Sequence, residues 1–258
     1  MADHRVIDKW ESGIPAIAGW MTTHSLLIAQ SMAASGVDAV IIDMQHGSAT
    51  LDDVLGLAAS IEVRGAEPFV RLPAIDAGLI GRLLDSGVTG IIAPLVETAA
   101  QARQLMDAVL YPPMGGRSYG PRVPAIRWGS TYAQRANSQI VTLAMIETAI
   151  GLAALDEILS IGDLSGVFVG PSDLGMSLGH PPPHSQMPEK LASAIEMVRS
   201  HAEALGKRAG IFCPTTNAAE TSLGAGFDLV TSIPDLSLVD AGTKEGVEKL
   251  RSVIAPTT

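Results

Sequence analysis

In five places an apolar run of this chain ends in residues that can move protons or hold charge. Ile41-Ile42 leads into Asp43-Met44-Gln45-His46-Gly47, Phe69-Val70 into Arg71, and Met145-Ile146 into Glu147-Thr148. Val167-Phe168-Val169 leads into Gly170-Pro171-Ser172-Asp173, and the first run ends near Trp20 and His24. Glu147 and Asp173 offer oxygen alone, which suits a hard divalent ion such as Mg²⁺, Mn²⁺ or Co²⁺ with water and substrate oxygens completing the shell. Singly, Glu147 would cap a helix and Asp173 would sit in a turn; on neighbouring strands, about 4.8 Å apart, they can share one cation. Arg71 closes a buried run, and its planar fork suits a carboxylate or an enolate oxygen, a role that can coexist with an ion pair to a strand-end acid. His46 is placed to move a proton near neutral pH. His4, His24, His180, His184 and His201 fall in tails, helices or loops. Gly170-Pro171-Ser172-Asp173 makes a tight turn into a helical turn, where free backbone N–H groups can hold a carboxylate.

The lysines narrow the chemistry further. There are five, Lys9, Lys190, Lys207, Lys244 and Lys249, and none ends a predicted strand. Schiff-base chemistry needs an amine in the site. Electrophilic stabilisation therefore falls to the metal and Arg71.

Residues grouped in this way need a scaffold that brings strand ends to one rim. Eight apolar runs predict strands: Ile14–Met21, Ala39–Met44, Pro68–Leu72, Gly90–Leu95, Val141–Ile146, Gly166–Val169, Arg208–Phe212 and Phe227–Thr231. Between them, amphipathic segments predict helices over Ser25–Ala34, Leu51–Val63, Ala77–Leu84, Thr98–Val109, Ala149–Leu159, Glu189–Ala204 and Ala218–Gly224, with Leu236–Val253 last. Strands apolar on both faces that alternate with helices mean a parallel sheet. Eight units in 258 residues favour closure into a (β/α)₈ TIM barrel, read here as one domain over residues 1–258. A doubly wound open sheet is disfavoured, because no G-x-G-x-x-G follows the first strand. In such a barrel the active site lies at the C-terminal strand ends, where the polar residues gather. One connection, Tyr111–Gln139, is unusually long and reads as a functional loop; its Arg117, Arg122 and Arg127 either meet an anionic ligand or are ordinary surface charges.

Charge and composition exclude other classes. The net charge is −10 with no basic cluster, so nucleic acid is an unfit partner. A single cysteine, Cys213, excludes an internal disulfide and a thiolate metal site. No signal peptide is read at the N-terminus, and no apolar stretch approaches the roughly 20 residues of a membrane span. A soluble cytoplasmic protein is the expectation.

From about Gly19 to about Asp240 the chain resembles the class II (metal-dependent) pyruvate aldolases of the 4-hydroxy-2-oxoheptanedioate and 2-dehydro-3-deoxyglucarate aldolase family. IIDMQHG, PFVRLP, LLDSGVTGIIAPLVET, YPPMGGRSYG, AMIET and GVFVGPSDLGMSLG carry the likeness. The resemblance implies a phosphoenolpyruvate/pyruvate-type barrel in which Glu147 and Asp173 bind the metal, and pyruvate or hydroxypyruvate is the donor to an aldehyde. Arg71 matches the arginine at the keto oxygen, His46 the base, Asp43 a supporting acid, and Trp20 a residue lining the aldehyde side. Asp85 matches an acid paired with the histidine. Helix geometry puts Asp85 at the rim opposite His46 of its own chain, so the resemblance implies a shared site in a homohexamer built as a trimer of dimers. Gln45 stands where the family pattern has Glu, which alters proton handling or acceptor preference. Two rivals share the scaffold: a citryl- or malyl-coenzyme A lyase, and a barrel that binds a 2-oxo acid without catalysis.

Overall fold

The computed structural model describes residues 4–182 and 187–254, so His184 lies outside the described residues. Eight parallel strands close into a barrel in chain order: β1 (Ala16–Met21), β2 (Ala39–Asp43), β3 (Glu67–Arg71), β4 (Gly90–Ala93), β5 (Val141–Ile146), β6 (Gly166–Val169), β7 (Arg208–Ile211) and β8 (Leu229–Thr231). The chain is therefore a (β/α)₈ barrel. Its helices are α1 (Arg5–Glu11), α2 (Leu26–Ala34), α3 (Leu51–Glu62), α4 (Ala77–Asp85), α5 (Ala99–Val109), α6 (Arg122–Trp128) and α7 (Tyr132–Gln139). They continue as α8 (Ala149–Ala153), α9 (Leu155–Leu159), α10 (Pro171–Ser177), α11 (Glu189–Ala204), α12 (Thr216–Ala225) and α13 (Asp235–Ile254).

Side chains alternate along each strand, and the alternation sorts them into two cores. Inward positions such as Ala18, Ile41, Phe69, Ile92, Leu143, Met145, Phe168 and Leu229 fill the barrel. Outward positions such as Val40, Ile42, Val70, Ile91, Ala144 and Val167 pack under the helices. The same period decides where the polar residues go. Asp43 stands two residues beyond inward Ile41, Arg71 two beyond Phe69, and Glu147 two beyond Met145. Five βα turns end in a side-chain cap on the next helix, from Ser25, Asp76, Thr98, Thr148 and Thr215, which starts each helix firmly behind its strand.

Three features differ from the sequence reading. Helix α1 closes the N-terminal end of the barrel with buried Val6 and Trp10, while Arg5 and Lys9 each reach Asp38 at 2.8 Å. The long connection is no open loop: it folds into α6 and α7, and Asn137 pins its start by bonding the N–H and C=O of Tyr111 at 2.8 and 3.0 Å. The predicted helix Ala149–Leu159 breaks at Ala154 into α8 and α9. The last helix is unusual in another way. Asp235 is its one buried residue, and every residue from Leu236 to Ile254 is exposed, Leu250, Val253 and Ile254 among them. Among the described residues no helix is long and apolar enough to cross a membrane.

Candidate active site

Register brings the first two site residues side by side. Asp43 and Arg71 are partners across β2 and β3. Arg71 Nε donates to Asp43 Oδ1 at 2.9 Å, and Nη2 donates to Oδ2. Both side chains are buried, so the pairing must be close to complete: an unpaired charge there would cost several kcal/mol, on the order of 3–5. Asp43 Oδ1 also accepts the N–H of Gln45 at 3.0 Å and of His46 at 3.1 Å, which folds the chain after β2 over the barrel mouth. The Arg71 guanidinium lies 4.8 Å from the centre of the Trp20 ring, and Trp20 packs against Phe168 and Phe212 at 6.0 and 4.9 Å. An arginine held along one edge by a carboxylate and lying over a ring is preorganised; binding an anion would not require it to move.

Across the mouth, Glu147 follows β5 at 2 % exposure. Its Oε1 accepts the N–H of Leu95 at 2.7 Å. Leu95 adopts a φ of 53°, the only non-glycine positive φ among the described residues, a conformation that costs on the order of 1–3 kcal/mol. The turn after β4 is thus strained in a way that aims its N–H at this carboxylate. Burial pushes the Glu147 carboxyl above the usual carboxylate range; the Leu95 bond works against the rise, nearby Asp173 adds to it, and Arg71 opposes it. Asp173, exposed in the first turn of α10, has Gly170 as the residue just before that helix. A Cβ at Gly170 would stand 2.6 Å from Glu147 Oε2, so only glycine leaves that oxygen open.

Trp20, Asp43, His46, Arg71, Gly170, Pro171, Ser172 and Asp173 line one cleft of about 420 Å³ at the C-terminal mouth. Gln45, read as substrate-binding, is not among the lining residues; its Oε1 is buried and without a hydrogen-bond partner among the described residues. A glutamate there would bury a second uncompensated charge, which makes the amide electrostatically cheaper. The donor set fits a hard cation on three counts. Glu147 and Asp173 both offer oxygen alone, Asp173 lies near enough to raise the Glu147 carboxyl, and burial destabilises that carboxyl as an anion. Among the described residues no third His, Cys, Asp or Glu joins them, so water and substrate oxygens would complete the shell.

Asp85 is not in this cleft. It ends α4, where Arg117 Nη2 donates to its Oδ1 at 2.7 Å, and it lines separate hollows with Arg82 and Gly120. The three arginines of the long connection also lie elsewhere. Arg117 stacks on Tyr111 at 4.4 Å, Arg127 pairs with Glu62, and Arg122 lines a hollow with Arg82. Of the two readings of these arginines, the anion-binding one finds no support at the cleft. His24 bonds Ser48 Oγ at 2.9 Å on the surface, and His4 is buried at the opposite rim near Thr89. Sequence reasoning missed Thr22, Met145, Phe212, Pro234, Leu236 and Ser237, which complete the lining. Phe212 ended a predicted strand and could have been found by the strand-end rule; Leu236 and Ser237 carry no polar signal that separates them from an ordinary helix start.

A family model described as HpcH/HpaI aldolase/citrate lyase matches residues 17–239. The chain is 45% identical over 250 residues to a hydroxypyruvate/pyruvate aldolase of Rhizorhabdus wittichii, covering 97% of this chain and 100% of that protein. It is 33% identical over 241 residues to a 2-dehydro-3,6-dideoxy-6-sulfogluconate aldolase of Pseudomonas putida, covering 92% and 93% of the two chains. Among solved structures, an HpcH/HpaI aldolase/citrate lyase family protein of Burkholderia cenocepacia has a TM-score of 0.85 at 29% identity, over 93% of this chain and 95% of its own.

Proposed function

The chain belongs to the HpcH/HpaI aldolase/citrate lyase family and is a carbon–carbon lyase of the aldolase type, and we propose that it joins a pyruvate or hydroxypyruvate donor to an aldehyde with a divalent metal. The observation that carries this reading is the cleft itself, where the preorganised Arg71 and Asp173 share the lining and both act on the charge of the buried Glu147 carboxyl behind it. Glu147 and Asp173 would hold Mg²⁺, Mn²⁺ or Co²⁺, which supplies Lewis-acid polarisation of the 2-oxo acid.

The protein's own groups do the rest. Arg71 has N–H donors beyond the two given to Asp43, and these neutralise charge that gathers on the donor oxygen as C3 loses its proton. His46, held at its backbone by Asp43, takes the C3 proton. The C3 carbon then bonds to the aldehyde carbon, and the proton returns from His46 to the new C4 oxygen. Cleavage runs the same steps backwards, with His46 taking the C4 hydroxyl proton first. Trp20 and Phe212 form an apolar wall of the cleft. Pro171 and Ser172 border the donor beside Asp173.

An assay of pyruvate or hydroxypyruvate with small aldehydes, supplemented with Mn²⁺, is expected to yield 4-hydroxy-2-oxo acids. Full activity in EDTA, or borohydride trapping of a substrate adduct, would count against the metal reading. A coenzyme A thioester lyase would instead bind coenzyme A in calorimetry; of the arginines that could have met its phosphates, Arg117 and Arg127 are paired with Asp85 and Glu62 away from the cleft.

The same reading puts Asp85 in a neighbouring subunit's site, in a homo-oligomer expected to be a hexamer. Two observations support association: Asp85 stands outside its own cleft, and α13 projects with its apolar residues uncovered. Mixing Asp85→Ala protein with His46→Ala protein is expected to recover activity as subunits exchange and intact sites re-form. A monomer by sedimentation, or no recovery after proven exchange, would refute the shared site.

A further inference from the structure

β1 stops at Met21, so the N–H groups of Thr22 and Thr23 have no strand partner and must find acceptors elsewhere. They find one side chain. Asp235 Oδ1 accepts from Thr22 N at 2.9 Å and from Thr22 Oγ1 at 2.6 Å, and Oδ2 accepts from Thr23 N at 3.0 Å and Thr23 Oγ1 at 2.8 Å. The N–H of Leu236 adds a fifth donor, to Oδ1 at 2.9 Å. This staple crosses the closing seam of the barrel, between the segment after β8 and the segment after β1. Burial alone would raise the Asp235 carboxyl, but the bonds from Thr22 and Thr23 outweigh it and hold the group below the usual carboxylate range.

Two parts of the cleft hang on this carboxylate. On one side, the Thr22 carbonyl accepts the N–H of Ser48 at 2.8 Å. The chain there passes so close that a Cβ at Gly47 would lie 2.8 Å from the same oxygen and 2.2 Å from the Asp43 carbonyl. His46 is thus seated from both ends, by Asp43 before it and by Thr22 after it. On the other side, Leu236 and Ser237 follow Asp235 directly and line the cleft with Thr22. Because Asp235 is the one buried residue of α13, the placement of those two side chains depends on it.

We propose that Asp235 is a positioning residue that fixes the acceptor wall of the cleft (Thr22, Leu236 and Ser237) and, through Thr22, the seat of His46. The inference rests on the aldolase reading above, in which the donor lies on the β5–β6 side with Glu147 and Asp173. A defect at the β8–β1 seam should therefore fall on the acceptor and on proton transfer, leaving the metal and donor alone.

The test compares Asp235→Asn, Thr22→Val and Thr22→Ser in the full-length protein loaded with Mn²⁺, using pyruvate and a small aldehyde. Asparagine keeps the size but turns an NH₂ toward donors that need an acceptor. The KM for the aldehyde is expected to rise and kcat to fall, each by about tenfold, the scale of one buried polar group left unmet. The KM for pyruvate and the calorimetric Mn²⁺ affinity are expected to match wild type. Thr22→Val should shift the same constants in the same direction, whereas Thr22→Ser, which keeps the hydroxyl, should restore them. Unchanged acceptor constants in Asp235→Asn would overturn the proposal. So would a uniform loss that includes pyruvate KM and Mn²⁺ affinity, since that pattern marks a merely structural role. If Asp235→Asn fails to fold, Thr22→Val against Thr22→Ser decides by the same constants. A wild-type protein inactive in this assay fails the aldolase reading, whereas an active wild type beside an unaltered Asp235→Asn fails this proposal alone.

Discussion

Arg71→Ala is expected to lower kcat/KM for aldol cleavage by about 10²–10³-fold, the scale of losing one preorganised donor at a site of developing charge. The geometry concentrates the effect on this residue. Its fork is fixed by Asp43, its plane rests against Trp20, and its remaining donors face the cleft. Alanine would also strand Asp43 as a buried charge, so part of the damage would be to folding, on the order of 3–5 kcal/mol. Arg71→Lys separates the two effects. Lysine retains a cation beside Asp43 but gives up the bidentate fork, so it should recover stability while recovering little activity. Arg122→Ala serves as the comparison, because Arg122 is exposed and lies outside the cleft of its own chain, in the hollow that Asp85 lines, so a smaller loss is expected there. Steady-state rates measured well below each variant's melting temperature make the comparison. Equal, mild effects at Arg71 and Arg122 would show that the end of β3 does not meet the reacting atoms.

Glu147→Gln is expected to abolish activity and, at the same time, to stabilise the metal-free protein. The carboxylate is buried beside Asp173 and burial raises it above its ordinary range, so its ionised form opposes folding when no cation is present. Glutamine keeps an oxygen for the Leu95 N–H and removes the charge. Thermal unfolding with and without Mn²⁺ provides the measurement. Mn²⁺ should raise the melting temperature of wild type, since a ligand at 100 times its Kd stabilises by about 2.7 kcal/mol. It should leave Glu147→Gln unmoved. An equal shift in both proteins would place the ion elsewhere.

The barrel was legible in the sequence because its strands are buried on both faces, which writes them as short unbroken apolar runs. The strand-end rule then found Asp43, Arg71 and Glu147 for a reason the structure makes plain. Each is the next inward position after an apolar inward residue, so the period that builds the core also points the polar group into the mouth. What escaped depended on contacts between distant segments. Helix α1 buries only Val6 and Trp10, too few to make a periodic signal. Helices α6 and α7 sit in a stretch dense with Gly and Pro, and Asn137 of α7 ties it down by bonding Tyr111, 26 residues away. The Asp235 staple joins groups more than 200 residues apart, and nothing around Ser232-Ile233-Pro234-Asp235 distinguishes that carboxylate from an ordinary helix-start aspartate. The strained turn at Leu95 was likewise hidden, because a leucine gives no hint of a positive φ.

The proposed formation of a metal-stabilised carbanion at C3 of a 2-oxo acid in this cleft can be tested without knowing the acceptor. Pyruvate incubated with the enzyme in D₂O, with no aldehyde present, should lose its methyl proton signal by NMR as deuterium replaces hydrogen. The exchange should require Mg²⁺, Mn²⁺ or Co²⁺, stop with EDTA, and be lost in Glu147→Gln and Arg71→Ala. Failure to exchange either pyruvate or the C3 protons of hydroxypyruvate with metal present, or exchange that persists in EDTA, would contradict it.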